Sequence, residues 1–126
     1  MKTSEMVFDY LKEQGLCPKF DEDNDIVFKY QMLTYLYFNN DNDDKQFFRL
    51  AVPSIFEVTD ENRVAVLEAM NEVNKMVKVV KLFILRDDVW ATTENMMDST
   101  PVLDDLIPRL INILQGACKE FYEQIG

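Results

Sequence analysis

The stretch from Met76 to Met96, MVKVVKLFILRDDVWATTENM, decides the fold of this 126-residue chain. Both of its arms are rich in β-branched and aromatic residues, and the polar Arg86-Asp87-Asp88 between them is typical of a tight turn. The pattern therefore predicts two antiparallel strands joined as a hairpin. The first arm is apolar apart from Lys78 and Lys81, which predicts a central strand covered on both faces.

Three further strands are predicted upstream of this hairpin. The segments are DIVFKYQ (residues 25–31), LTYLYFN (33–39) and QFFRLAVP (46–53). The first two are so close that a hairpin is the natural connection. Because proline cannot donate a ladder hydrogen bond, we expect Pro53 to end the third strand or to place it at a sheet edge.

Three helices are predicted from apolar residues that recur at helical spacing. The first runs from Thr3 to Gln14, with Thr3 or Ser4 as its cap. The second begins near Thr59 or Asp60, and its apolar face carries Val66, Ala69, Met70 and Val73. The third follows a short turn at Pro101 to Asp104, which places Pro108 in its first turn, where a missing N–H costs little.

The element order is therefore α-β-β-β-α-β-β-α in one domain spanning residues 1–126. Strands and helices in separate blocks predict an α+β fold with a single antiparallel five-stranded sheet and three helices. Two helices on one face and one on the other would cover much of this sheet.

The composition narrows the classes of function. The formal net charge of −10 disfavours nucleic acid and anionic membranes as partners. Since the N-terminal residues do not resemble a signal peptide and no apolar run reaches the roughly 18 residues of a membrane span, we expect a cytoplasmic protein. The two cysteines, Cys17 and Cys118, are far apart in sequence, and we expect two packed thiols and no disulfide or zinc site.

The residues that could hold a metal or perform catalysis are few. The chain contains no histidine, and its three glycines form no phosphate-binding motif. The acidic run NNDNDDK, residues 39–45, lacks the glycine at position six and the glutamate at position twelve of a calcium loop, since Asp44 and Leu50 stand there. The run DEDND, residues 21–25, fails in the same way. We therefore predict turns at both places, no cofactor, no metal site and no enzymatic activity.

Aromatic residues are frequent on the predicted strands, which are apolar on both alternations. Such strands fit a buried core alone or a core with a surface for another protein. The residues from VLEAMNEVNKM through RDDVWATTENM (66–96), followed by LDDLIPRLINILQGACKEFYEQI (103–125), resemble the YbjN-like family of bacterial sensory transduction regulators. The features that carry the resemblance are Asn71 and Asn74, the acidic hairpin at Asp87-Asp88, and Phe121-Tyr122.

This resemblance implies a fold like that of type III secretion chaperones. Those are small acidic proteins, usually homodimers, which bind an extended segment of a partner and perform no chemistry. We therefore expect a non-enzymatic, protein-binding module with a chaperone-like or regulatory role. The residues expected at the dimer or partner surface are Met70, Val73, Val79 and Phe83.

Two alternatives remain open. The first is a small-molecule sensor, whose pocket between helix and sheet would be lined by some of Tyr30, Tyr35, Met70 and Trp90. The second is an acidic immunity-type inhibitor, which would bind a basic partner in a salt-sensitive way.

Overall fold

A computed structural model describes residues 1–98 and 101–126 of the chain. Within these residues three helices accompany six strands. In chain order they are α1 (Thr3–Glu13), β1 (Lys19–Phe20), β2 (Ile26–Tyr30), β3 (Leu33–Tyr37), β4 (Phe47–Glu57), α2 (Arg63–Met76), β5 (Val80–Leu85), β6 (Asp88–Met96) and α3 (Leu103–Ile125). None of the described helices is both long enough and apolar enough to cross a membrane.

The strands form one antiparallel sheet in the order β1-β2-β3-β4-β6-β5. The α+β class, the antiparallel sheet and the three helices are thus confirmed, but the prediction of five strands is wrong. The additional strand is β1, in which Lys19 lies opposite Val27 and Phe20 lies opposite Ile26. Two residues are too few to show an alternating pattern in the sequence.

Both tight hairpins turn through two residues with positive φ. Gln31 and Met32, at 48° and 70°, join β2 to β3, while Arg86 and Asp87, at 51° and 66°, join β5 to β6. Two such residues define a type I′ turn, whose twist matches that of the flanking strands. The hairpin predicted at Arg86-Asp87-Asp88 is confirmed, with Asp88 as the first residue of β6.

Pro53 neither ends β4 nor places it at an edge, because β4 continues to Glu57 and lies between β3 and β6. The register with β6 shifts between Val52 and Phe56, and Ser54 in this bulge has a φ of 51°. On the other side, the β3 ladder reaches only to Ala51. Pro53 therefore occupies a position where the lack of an N–H breaks no ladder bond to β3.

The strand predicted to be central, β5, lies at the edge of the sheet, next to β6 alone. It is also not covered on both faces, since all three helices pack on the same side. Phe8 of α1 stacks on Phe20 at 4.8 Å between ring centroids. On the same side, Phe121 of α3 meets Phe56 at 5.5 Å.

Two helix starts differ from the predictions. Helix α2 begins at Arg63, after a turn in which the backbone N–H of Thr59 donates to Asn62 Oδ1 and that of Asn62 donates to Thr59 Oγ1. Helix α3 begins at Leu103, so Pro108 lies beyond the first turn. The carbonyl that Pro108 leaves without an intrahelical donor belongs to Asp104, an exposed residue that water can reach.

The start of α1 is held by a distant loop. The backbone N–H of Ser4 donates to Asp41 Oδ1 at 3.2 Å, and the Ser4 hydroxyl donates to Asp41 Oδ2. Asp41 belongs to the acidic run at residues 39–45, which contains no helix or strand, as predicted. A carboxylate at this position satisfies free N–H groups and favours the positive end of the helix.

The core lies between the helices and the near face of the sheet. Its largest fully buried side chains include Tyr35, Tyr37, Phe48, Leu114 and Phe121. Only one of the two thiols is packed there: Cys118 is buried, whereas Cys17 is exposed on the segment after α1. The prediction of two packed thiols is therefore wrong for Cys17.

We predict that Met32→Gly stabilises the protein by about 0.5 to 1 kcal/mol, because Met32 adopts a left-handed conformation that glycine adopts without strain. Its side chain is fully exposed, so no packing is lost. Urea denaturation measures the change. Met96→Gly, at an exposed strand position, should destabilise instead; equal effects of the two substitutions would contradict the prediction.

We also predict that the folded protein reacts at one thiol. Burial raises the pKa of the Cys118 thiol to about 11, so at pH 8 it stays protonated and shielded, while Cys17 is accessible. Labelling with a thiol reagent should modify one equivalent in buffer and two in denaturant. Cys17→Ser should remove the reaction in buffer; rapid labelling that survives this substitution would show that Cys118 is accessible.

Candidate functional site

The face of the sheet opposite the helices, called here the open face, is covered by none of the described helices. Strand alternation places on it Lys19, Val27, Lys29, Thr34, Leu36, Phe47, Arg49, Ala51, Glu57, Lys81, Phe83, Leu85, Asp88, Trp90, Thr92, Glu94 and Met96. Phe38 continues this face just past the end of β3. The small residues Ala51 and Thr92 are fully buried here. Their larger neighbours, both apolar and charged, therefore lie over them and form a mixed layer.

Aromatic rings form much of this layer. Phe83 on β5 and Trp90 on β6 are directly opposite each other, and their ring centroids are 6.3 Å apart. Both side chains are half-buried, as are Phe38 and Phe47. Half-buried aromatic rings offer large apolar area at a small cost in conformational entropy. Such a surface is suited to contact with another chain.

Arg49 lies in the middle of these rings. Its guanidinium carbon is 4.1 Å from the centroid of Phe38 and 5.8 Å from that of Phe83, which are distances of cation–π contact. Its cross-strand neighbour Glu94 forms an ion pair with Lys81 instead, at 2.5 Å. Within the part of the chain that the structure describes, no carboxylate lies within 4.0 Å of Arg49.

The charges of the open face nearly balance. Its basic residues are Lys19, Lys29, Arg49 and Lys81, and its acidic residues are Glu57, Asp88 and Glu94. The chain as a whole carries −10. The negative charge is therefore concentrated on the helices and loops, and the open face differs electrostatically from the rest of the surface.

The free edge of β5 is blocked at its centre by a side chain of α2. Asn74 Oδ1 accepts from the N–H of Leu82 at 2.8 Å, and Asn74 Nδ2 donates to the carbonyl of Leu82 at 3.2 Å. A neighbouring strand would make the same two bonds. Asn74 thus occupies a pairing position that an edge strand otherwise offers to another chain.

The residues predicted for a dimer or partner surface are separated in the structure. Met70 and Val73 are buried under α2, and another chain would reach them only if α2 moved. Val79 precedes β5 and is half-exposed, while Phe83 lies on the open face. Only Val79 and Phe83 are at the surface.

The residues predicted for a pocket are also not brought together. Tyr35 and Met70 are buried in the core, and Trp90 lies on the open face, on the opposite side of the sheet from Tyr35. Tyr30 alone lines a cavity, of about 170 Å³, between α1 and α3. The other residues around it are Tyr10, Gln14, Leu16, Ile107, Pro108, Ile111 and Asn112.

Three aspartates form the most concentrated acidic group. The carboxylate oxygens of Asp21, Asp23 and Asp25 lie within 4.8 Å of one another. Asp21 Oδ1 accepts from the N–H groups of Asp23 and Asp25, both at 2.9 Å. These are the bonds of an Asx turn, as the sequence predicts. Burial is the main reason that the pKa of Asp25 is raised, with Asp21 and Asp23 adding to it.

Other shifted groups have structural roles. Burial raises the pKa of the Tyr35 and Tyr37 hydroxyls, as it does for the Cys118 thiol. These groups therefore hold their protons more firmly, whereas an activated nucleophile requires a lowered pKa.

Sequence reasoning missed Arg49 and Phe38 as members of the site. The available signal was a single arginine inside the apolar run FFRLA, residues 47–51. A charged residue in such a strand needs a partner or an open face. The sequence does not show which rings surround Arg49, because Phe38 follows β3 and Phe83 lies on β5, both distant from Arg49 along the chain.

Comparison with known proteins gives one family. A sequence model of the YbjN family, described as "Putative bacterial sensory transduction regulator", matches residues 3–126. No curated protein sequence gives a significant match.

Several solved structures share the fold, and two of them match nearly the whole chain. The crystal structure of YbjN from E. coli, described as "a putative transcription regulator", has a TM-score of 0.70 and 8% identity, covering 94% of this chain and 88% of that one. The structure of an uncharacterized protein from Methanothermobacter thermautotrophicus has a TM-score of 0.64 and 17% identity. It covers 98% of this chain and 99% of that one.

We predict that Asn74→Ala lowers the free energy of unfolding by about 1 kcal/mol, since two hydrogen bonds are lost while water can reach the edge. The free edge should also promote self-association. Urea denaturation and sedimentation at several concentrations measure the two effects. Asn71→Ala, an exposed site on the same helix, is the control and should change neither. A monomer of unchanged stability would contradict the role assigned to Asn74.

Proposed function

The chain belongs to the YbjN family, and from this premise we propose that it is a non-enzymatic protein-binding module with a regulatory or chaperone-like role. The observation that carries the proposal is the open face, where half-buried aromatic rings surround Arg49 and none of the described helices covers them. Large uncovered apolar surfaces on soluble domains usually mark sites of interaction.

The proposed partner lies flat on the open face. The edge of β5 is a poor place for strand addition, because Asn74 already satisfies the central N–H and carbonyl of Leu82. A partner that used this edge would have to displace Asn74. Side-chain contacts with Phe83 and Trp90 require no such displacement, so the face is favoured over the edge as the place of binding.

A second copy of the chain is a weaker proposal than a different protein. Of the residues expected at a dimer contact, Met70 and Val73 are in the core. The free thiols Cys17 and Cys118 fit a reducing compartment, and we propose that the protein acts in the cytoplasm.

The cavity beside Tyr30 supports a second candidate function, that of a small-molecule sensor. Its volume of about 170 Å³ suits a small ligand, and its walls come from α1, α3 and the end of β2. A ligand there would link these three elements. A metabolite that raises the melting temperature of the wild type but not of Tyr30→Ala would support this function, because a ligand that binds only the folded state stabilises it.

We predict that Phe83→Glu abolishes partner binding. The substitution removes apolar contact area and places a charged group in the contact, where its dehydration costs several kcal/mol, enough to reduce affinity by orders of magnitude. Tagged protein is incubated with extract of its own cells, and retained proteins are quantified by mass spectrometry.

The matched control for this experiment is Val64→Glu, which adds the same charge at an exposed position of α2. Proteins retained by the wild type and by Val64→Glu but lost with Phe83→Glu would support binding at the open face. Equal retention by the wild type and both variants, or no retention by the wild type, would overturn it.

A further inference from the structure

We propose that the open face selects a mainly apolar protein segment that carries a carboxylate, and that Arg49 binds this carboxylate. The inference rests on the proposed function, because it specifies the chemistry of the partner bound at the same face. The basis of the inference is that Arg49 forms no ion pair with any residue in the described part of the chain.

The environment of Arg49 is that of an incomplete binding site. Phe38 and Phe83 flank its guanidinium, and its Nε is shielded from solvent and has no hydrogen-bond partner in the described residues. The acidic residues nearby have other partners: Glu94 pairs with Lys81, and Asp25 Oδ1 accepts from the N–H of Asn39 at 2.8 Å. Asp25 is near enough for Arg49 to oppose the rise of its pKa, but it does not form a salt bridge with it.

The physical chemistry of arginine favours a carboxylate as the missing partner. The planar guanidinium donates two parallel hydrogen bonds to a carboxylate, and such charge-assisted bonds are stronger than neutral ones. The dehydration of an ion is the usual cost of a buried ion pair. Because Arg49 has already lost part of its hydration to the rings beside it, this cost is lower here than for an exposed arginine.

The segment must be mainly apolar for two reasons. The rings of Phe83 and Trp90 offer apolar contact area beside the guanidinium. In addition, the net charge of −10 repels a strongly acidic segment before it reaches the face. A single carboxylate among apolar side chains matches both the cation and its surroundings.

A second copy of the chain fits this face less well. Two copies joined face to face by a two-fold axis that passes near Arg49 would bring their Arg49 side chains towards each other. Nucleic acid is disfavoured by the charge of the whole chain, although cations and rings on a sheet are also used to bind single strands. Both occupants are therefore outcomes to be separated by experiment.

Trp90, the only tryptophan, provides the measurement, since its emission should change when the open face is occupied. Two synthetic peptides serve as probes: an eight-residue chain of alternating leucine and threonine with one central glutamate, and the same chain with glutamine. We expect the glutamate peptide to bind the wild type about tenfold more tightly, in line with a charge-assisted contact to Arg49.

Variants test the role of Arg49. Arg49→Gln should reduce the affinity for the glutamate peptide to that for the glutamine peptide, and Arg49→Lys, which keeps the charge but not the planar group, should restore part of it. Arg109→Gln removes the same charge from the exposed surface of α3 and should change nothing. Urea denaturation confirms that each variant is folded, and Arg49→Lys carries the test if Arg49→Gln is not.

The outcomes separate this inference from the proposed function. Equal binding of the two peptides, unaffected by Arg49→Gln, would overturn the carboxylate preference and leave protein binding intact. No response to either peptide would also overturn the inference, whereas the proposed function depends on the Phe83→Glu capture experiment. Emission that varies with protein concentration alone would assign the face to a second copy. Tighter binding of a twelve-nucleotide oligothymidine would assign it to single-stranded nucleic acid.

Discussion

The packing of α3 against β4 and β6 is the contact on which the rest of the structure depends. Its buried side chains, among them Leu114 and Phe121, run the length of the helix and close the core. Helices α1 and α2 then pack beside α3 on the same side of the sheet. Because one long apolar stripe organises all three helices, the helical layer is one-sided.

Because all three helices lie on one side of the sheet, no described helix covers the other face. A sheet face without helices is in contact with solvent or with another molecule. Here the open face carries aromatic rings around Arg49, and Asn74 blocks backbone pairing at the centre of the β5 edge. Aromatic side chains are therefore accessible on the face, whereas backbone pairing at the centre of the β5 edge is blocked.

The sequence predicted those parts of the fold that have a clear period. The α3 stripe and the turn at Arg86 followed from spacing and turn chemistry. Prediction from the sequence failed for β1, because this strand is too short to show a period. It also failed for the position of β5 in the sheet. The sequence of an apolar strand has the same pattern whether helices, a partner or neighbouring side chains of the same sheet cover it. For the site, Phe83 was predicted, whereas Arg49 depends on rings that only the folded chain assembles.

The hydrogen bonds between Asn74 and Leu82 link the stability of the last turn of α2 to the tendency of the protein to self-associate. Asn74 lies in the last turn of α2, where helices fray most readily. Each fraying event withdraws the amide and exposes the β5 backbone for a moment. The fraction of time for which this turn is open therefore sets how often two molecules meet with an unprotected edge, and a mutation that loosens the turn would act as a concentration-dependent defect.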